Sequence, residues 1–493
     1  MALDTLILVR LGAEVTIKSR RTRAQFMHRL VSNIRDALGS AGVAHTIEQQ
    51  WGRIFVRADS PTALPVLSRV FGTSSLSTVD RVVPAALDEI VRDGEALYAG
   101  EVAGKRFAIR ARRVGRHAFT SRDIEVGLGA ALLPHAAGVD LDDPEVTFRV
   151  EVRNDQAYLF SARVPSAGGL PVGVEGRAVA LISGGYDSAV AAWLMLKRGI
   201  ALDYVFCNLG GDAYERAVVQ VAKVLADDWS AGTRPRLHVL DFGDVVRELR
   251  ASVRQSYWQV VLKRLMYRAA SRVGEALGAA AIVTGEAVGQ VSSQTLLNLR
   301  AIEPAADLPV FRPLLGFDKE EIIERARRVG TAALSEQVRE YCAIAPGKPV
   351  TAASVERLTE AESAMDGAPL AAAVDARRVL DLRALSATDL VAPYLFTEDI
   401  PDDAVVIDCR PPAHYRAWHV RGARRIDEWD LLRSMKRLDT APTYVLYCTH
   451  GTQTAYVAEK MQRAGFEAYS FKGGVRALMQ WAERRGETPR ALR

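Results

Sequence analysis

Two short stretches hold most of the residues that could do chemistry. The first, residues 178–190, reads AVALISGGYDSAV. An apolar strand enters a Ser-Gly-Gly turn, and a helix leaves it. Gly184 and Gly185 let the backbone approach an anion closely, so that several N–H groups point inward beside the partial positive charge of a helix N-terminus. Ser183 and Ser188 add hydroxyl donors. Asp187 is too acidic to cradle a phosphate and suits the holding of Mg²⁺ or of the loop itself. No Gly-Lys-Ser/Thr follows, so this is not a Walker A loop. An ordinary strand-to-helix turn of small residues is the competing reading; the apolar strand before it and the helix after it favour a phosphate loop.

The second stretch, residues 444–454, reads YVLYCTHGTQT. Cys448 opens a loop between a strand and a helix. N–H dipoles at a helix start lower a thiol's pKa, and the same cradle would hold a persulfide, Cys–S–S⁻. His450 in this loop is read as facing water. Cys409 and Cys207 sit on strand text where an aliphatic residue would serve, and are read as core.

The elements that must position these loops follow from periodicity. Strand–helix alternation runs through RAVALIS, ALDYVFCNL, RLHVLDF and AAAIVTG, which predicts a parallel sheet covered by helices over residues 175–345. Gly285 follows the strand AAAIVT at its C-terminal edge, where open α/β sheets bind ligands. Gln294 lies nine residues later, Lys263 is on a basic helical segment, and Lys319 stands where a loop enters a helix. Residues 5–11 and 53–58 read as strands and 21–41 as a helix, giving a first α+β unit over 1–60. A second spans 61–165, with helices at 84–97 and 121–133 and strands at 105–112 and 146–163. Loop-rich text from Pro165 ends it. A helical linker is expected over 346–401, and another αβ unit over 402–490.

The chain has 493 residues, of which 49% are hydrophobic and 25% charged, and this excludes a disordered chain or a small disulfide scaffold. Sixty-four Lys and Arg against 59 Asp and Glu leave +5, which permits a polyanionic partner without requiring one. The longest apolar run, Ala189–Leu196, is far too short to span a bilayer, and the first residues, interrupted by Asp4 and Arg10, are not expected to act as a signal peptide. A soluble, cytoplasmic protein with no membrane partner is expected. Positive charge is local: Lys105, Arg106, Arg110, Arg112, Arg113, Arg116 and Arg122 fall in one stretch without an acid, a pattern suited to a phosphate backbone.

Three resemblances join these observations. SGGYDS resembles the pyrophosphate loop of ATP pyrophosphatases. Cys448, Gly451 and Thr454, with IDCR at 407–410 and WHVRGA at 418–423, resemble a rhodanese-type sulfur-transfer domain; a phosphatase loop would end in Arg where Thr454 stands. The segment around Val139-Asp140-Leu141, Pro144 and Glu145 resembles the VDLxxPE segment of THUMP domains, which bind tRNA. In this order the three units resemble the long form of the tRNA 4-thiouridine synthetase family. The resemblance implies an α/β multidomain protein: a ferredoxin-like plus THUMP α+β front end, a PP-loop core like the adenine-nucleotide α-hydrolases, and a C-terminal rhodanese domain.

It further implies ATP and Mg²⁺ as cofactors and uridine 8 of tRNA as the target. Leu181, Ile182, Ser183, Gly184, Gly185, Asp187, Ser188, Lys263, Gly285 and Gln294 would bind nucleotide, and Lys319 would stabilise developing phosphate charge. Cys448 would carry a persulfide delivered by a cysteine desulfurase. Cys342, 106 residues earlier, would close a disulfide with Cys448 that a reductant reopens. A sulfur relay to a thiazole-pathway carrier protein in thiamine synthesis, and a homodimer, are also implied. Two alternatives stand beside this: a thiazole-pathway carrier without RNA thiolation, against which the intact SGGYDS argues, and an adenylating tRNA-binding protein with a vestigial tail, against which the intact Cys448 loop argues.

Overall fold

Four sheets organise this computed structural model, which describes residues 5–486 apart from 51, 210, 337, 339–348, 387–389, 391–394 and 450. Cys342 and His450 lie outside the described residues. The chain forms two units: Met1–Ser19 with Leu38–Ser68 and Thr73–Gly168, and Arg20–Ala37 with Arg69–Gly72 and Gly169–Arg493.

In the first unit, TLILVRL at Thr5–Leu11 is buried from Leu6 onward, because strands flank it on both sides. This antiparallel sheet runs Val164–Gly168, Thr73–Thr78, Thr5–Leu11, Arg53–Ala58, His45–Gln50. It therefore reaches past residue 60, and the text from Pro165 that reads as loop is an edge strand, the position where a residue without an N–H is tolerated. The second sheet runs Arg81–Pro84, Gln156–Phe160, Val146–Arg153, Arg106–Val114, Gly138–Val139. The strand expected over 146–163 is a hairpin that turns at Asn154, φ 50°, a conformation Asn adopts more readily than most residues. Helices Leu87–Tyr98 and Ser121–Leu132 bury Ile90, Ile124, Leu128 and Leu132 against Phe107, Ile109, Phe148 and Val150. Thr120 and Asp123 close the second helix's N-terminus with a capping box.

The second unit holds the larger sheet, in the order Val310–Phe311, Ile282–Val283, Arg177–Leu181, Ala201–Asn208, Arg236–Asp241, Arg378–Asp381. All pairs are parallel except the last. Arg177–Leu181 has the next strand in sequence on one side and a much later one on the other, so the sheet's order reverses there. Such a switch point opens a crevice at the carboxyl ends of the strands. The expected linker over 346–401 is not separate from this core. Leu358, Leu370 and Val374 are buried in its main hydrophobic cluster, and Arg378–Asp381 adds an antiparallel edge to the sheet. Helical periodicity in Ala-rich text shows that a face must be buried, and only packing shows against what.

The C-terminal sheet is wholly parallel, in the order Phe396–Thr397, Ala468–Phe471, Tyr444–Tyr447, Val405–Asp408, Arg424–Arg425. Phe471, Leu478, Trp418 and Trp481 fill its core. Among the described residues no helix is long and apolar enough to cross a membrane.

Candidate active sites

At the switch point, Arg177–Leu181 delivers the chain into the Ser183–Gly185 turn and the helix Tyr186–Lys197. Gly184 has φ 78°, and a Cβ there would meet Val338 and Val218 side chains at 3.0 and 3.1 Å, so both conformation and space require glycine. The serine hydroxyls shape the loop: Ser183 N–H and Oγ both donate to Ser188 Oγ (3.2 and 3.3 Å), which donates to the Gly185 carbonyl at 3.0 Å. Tyr214 OH donates to the Ser183 carbonyl at 3.2 Å.

This turn forms one wall of a cavity of about 620 Å³, a volume suited to a nucleotide. Leu181, Ile182, Ser183, Gly185, Asp187, Ser188, Lys263, Gly285, Gln294 and Lys319 all line it, although they span 139 positions from Leu181 to Lys319. Gly184 forms the turn behind the wall. Gly285 is where backbone meets backbone: an added Cβ would lie 2.5 Å from both the Asp187 carbonyl carbon and the Ser188 nitrogen.

Asp187 is held from two sides. Lys319 Nζ donates to its oxygens at 3.1 and 3.2 Å, and Gln290 Nε2 does so at 3.2 and 3.1 Å. Lys319 is the first residue of the helix Lys319–Val329, fixed by an Asp318/Glu321 capping box, with its ammonium over the Tyr186 ring. Beneath Gly285, Glu286 is buried and accepts from Tyr267 OH, Thr284 Oγ1 at 3.1 Å and Arg312 Nε at 3.0 Å, with Lys263 Nζ at 3.9 Å. Burial pushes its carboxyl up, but Lys263, Tyr267 and Arg312 outweigh that and hold it below the ordinary range. Glu286 is thus an ionised anchor that orients Lys263. Gln290 and Tyr267 were not foreseen from the sequence; a Gln in loop text and a Tyr in helix text carry no spacing that marks them.

The second site is Cys448. Tyr444–Tyr447 ends in it, and Gly451, φ 84°, caps the helix Thr452–Arg463. A Cβ on Gly451 would crowd the Phe471 carbonyl at 3.2 Å and the Gly474 nitrogen at 3.3 Å. Gly451 N–H points at Cys448 Sγ at 3.1 Å and Thr454 OH at 3.5 Å, the donor arrangement that stabilises a sulfur anion. Asp408 and Arg410 pair with each other in the buried interior, Arg410 also donating to the Trp418 carbonyl at 2.6 Å, so they brace the sheet end. Cys207 is buried in the core with an edge on the cavity wall, and Cys409 is buried. The helix Glu428–Ser434 packs on Ala332–Ser335, whose chain runs directly into the cavity-wall residues Ser335 and Glu336.

In the first unit, Phe107 and Ile109 point into the core and Arg106, Arg110 and Arg112 alternate to the other face. Arg106 is paired with Asp140 at 2.7 Å, and Arg110 donates to the Leu141 carbonyl, so the Val139–Glu145 loop occupies both. Arg113 lies on the opposite face, donating to the Gly115 carbonyl at 3.1 Å. Lys105, Arg112 and Arg116 are exposed. A buried cluster went unforeseen: Arg10, Arg53 and Arg153 converge on Glu151 at 3.5, 2.8 and 2.8 Å. Burial depresses Arg10 to about 10, with Glu151 opposing and Arg53, Arg163 and Arg149 adding to the shift.

Family profiles match nearly the whole chain: a ThiI ferredoxin-like domain at 6–77, a THUMP domain at 84–162, "Thiamine biosynthesis protein (ThiI)" at 173–366 and a rhodanese-like domain at 394–480. The chain is 38% identical to the tRNA sulfurtransferase of Pyrobaculum aerophilum, over 94% of this chain and 96% of that one. It is 36% identical to the tRNA sulfurtransferase of Marinobacter nauticus, over 93% and 97%. Its fold matches the crystal structure of a 4-thiouridine synthetase–RNA complex with bound ATP, at a TM-score of 0.67 and 31% identity, over 76% of this chain and 99% of that one. A chain that carries these four domains in this order, with a nucleotide-sized cavity and a cradled thiol, is a sulfurtransferase enzyme and belongs to the tRNA sulfurtransferase (ThiI) family.

Proposed function

We propose that the protein transfers persulfide sulfur from Cys448 to uridine 8 of tRNA, giving 4-thiouridine, with ATP converted to AMP and pyrophosphate. The observation that carries this is the coexistence, in one unit, of the Ser183–Ser188 loop cavity and the Cys448 cradle. The related synthetase holding both ATP and RNA supports the same pairing of substrates.

A uracil C4 oxygen is a poor leaving group, so the first step activates it. The oxygen attacks the α-phosphorus of ATP and pyrophosphate departs. Backbone N–H groups of the Gly184–Ser188 turn bind the departing phosphates, and Lys263 and Lys319 offset their charge. Asp187 would hold Mg²⁺, as a partly exposed carboxylate in the cavity wall on the same loop as those N–H groups, giving up part of its bonding to Lys319 and Gln290; Glu286 is buried beneath the wall on Arg312 and Tyr267. When bound, Mg²⁺ supplies charge neutralisation on the phosphates.

The terminal sulfur of the Cys448 persulfide, charged by a cysteine desulfurase, then attacks C4 and AMP leaves. Cys342 attacks Cys448 Sγ, the bond to the transferred sulfur breaks, and a Cys342–Cys448 disulfide remains for a dithiol reductant. The exposed Lys105, Arg112 and Arg116 contribute phosphate-backbone contacts. A cradle complete within the C-terminal sheet also supports sulfur relay to a thiazole-pathway carrier.

Nucleoside mass spectrometry after incubation of unmodified tRNA with protein, ATP, Mg²⁺, desulfurase and cysteine tests the reading. Cys448→Ala should abolish 4-thiouridine and leave tRNA affinity unchanged. Thiolation by that variant at the parent rate would refute the persulfide role.

A further inference from the structure

The C-terminal sheet brings a second thiol beside Cys448. Asp408 pairs in register with Tyr447, and Cys409 N–H donates to the Tyr447 carbonyl at 3.0 Å. Cys409 and Cys448 are the first residues past the ends of these adjacent parallel strands, and the Cys409 N–H bond carries the pairing to their level. Neighbouring strands lie about 4.8 Å apart, inside the range of roughly 4.4–6.8 Å that a disulfide's Cα atoms occupy. Both residues are buried, Cys409 at 6% and Cys448 at 2% exposure, and each lies within the other's electrostatic field.

A third group completes the set. Glu428 opens the helix Glu428–Ser434, its Oε2 is buried without a hydrogen-bond partner, and its charge acts on Cys409. Burial, with Asp427 and Asp228 nearby and only Arg69 opposing, pushes Glu428 up to about 8. As a core residue, Cys409 would need neither a neighbouring sulfur nor an unsatisfied carboxylate.

We infer that Cys409 is a discharging thiol of the sulfur site, attacking the Cys448 persulfide to form a Cys409–Cys448 disulfide and release hydrosulfide. The inference rests on the persulfide reading above. Cys409 ionises, and its thiolate attacks Cys448 Sγ. The bond from Sγ to the terminal sulfur breaks, and that sulfur leaves with the electron pair and takes the proton as HS⁻. Cys409 is oxidised and the sulfane sulfur reduced, so no further oxidant enters; a dithiol reopens the disulfide. Burial, with Glu428 and the other carboxylates around it, pushes the Cys409 thiol well up, so the attack is slow. An activated acceptor wins the sulfur when it is present, and discharge clears the cysteine when it is not.

The test uses the full-length chain carrying Cys342→Ser, so that the thiol implied by the family cannot compete. The protein is loaded by a cysteine desulfurase and cysteine, desalted, held without RNA or ATP, alkylated, and digested without reductant. Expected are one equivalent of hydrosulfide per loaded Cys448 and a peptide linking Cys409 to Cys448. Cys409→Ser, and Cys409→Val, which fills the same space in the sheet, should lose both and keep the extra sulfur on Cys448. Loading without the cross-link, or equal persulfide decay in Cys409→Val, would overturn this inference alone. No gain of one sulfur mass on Cys448 would overturn the persulfide reading as well.

Discussion

Gly285→Ala separates the two half-reactions by one methyl group. The added Cβ would lie 2.5 Å from the Asp187 carbonyl carbon and the Ser188 nitrogen and 2.7 Å from the Asp187 oxygen, where ordinary contact begins at 3.4 Å. All three obstacles are backbone, so no side chain can swing aside. The strand end at Thr284 and the start of the helix Tyr186–Lys197 must part by about 0.9 Å. Overpacking of this kind costs about 1–3 kcal/mol in stability. The larger effect falls on chemistry: a displacement of about 1 Å in the positioning of reacting groups costs roughly a hundredfold in rate. AMP formation in the presence of tRNA should therefore fall about a hundredfold. Sulfur loading of Cys448, at a separate sheet end, should not change. Gly129→Ala is the control, because no atom lies within 4 Å of a Cβ there; in that helix it should stabilise by about 0.5–1 kcal/mol. AMP formation by Gly285→Ala within a few-fold of the parent would show that the Gly285–Asp187 approach does not position the reacting groups.

Three other outcomes are expected. Lys319→Ala removes one of the two groups that hold Asp187, and should lower AMP formation by roughly 10²–10³; measured persulfide on Cys448 should stay at the parent level. In tRNA binding titrated against salt, Arg112→Ala should reduce the logarithmic slope by about 0.9, while Arg106→Ala should leave it unchanged, because Asp140 already holds that guanidinium at 2.7 Å; equal slopes for the two variants would contradict the assignment. His238 is buried on the strand Arg236–Asp241 without a ring partner, and burial depresses it from 6.5 to about 4. Its folded state favours the neutral ring, so its stability is fully present above pH 6.5 and is lost as pH falls toward 4. Denaturant melts at pH 7 and pH 5 should show a smaller loss in His238→Leu than in the parent.

The Ser183–Gly185 turn and the Cys448 loop were legible in the amino-acid sequence because each is local. Strand, glycine turn and helix lie within thirteen residues at 178–190, and strand, Cys448 and helix within eleven at 444–454. Local steric rules and helix-end electrostatics act over that range, so residue order alone carries them. The core strands Thr5–Leu11 and Arg53–Ala58 and the helices Leu87–Tyr98 and Ser121–Leu132 were legible for the same reason, through their hydrophobic period.

What joins distant segments was decided by packing. Gln290 and Lys319 meet Asp187 from more than a hundred positions away. Glu151 collects three arginines from three strands. Arg378–Asp381 completes a sheet begun two hundred residues earlier, although its text reads as linker. The basic stretch 105–116 looks uniform in sequence, and only the strand's alternation and the Val139–Glu145 loop single out Arg106 and Arg110, which bond to Asp140 and the Leu141 carbonyl. Charge and polarity reveal that a group must find a partner when buried; the partner's identity is set by which surfaces the sheets and helices close together.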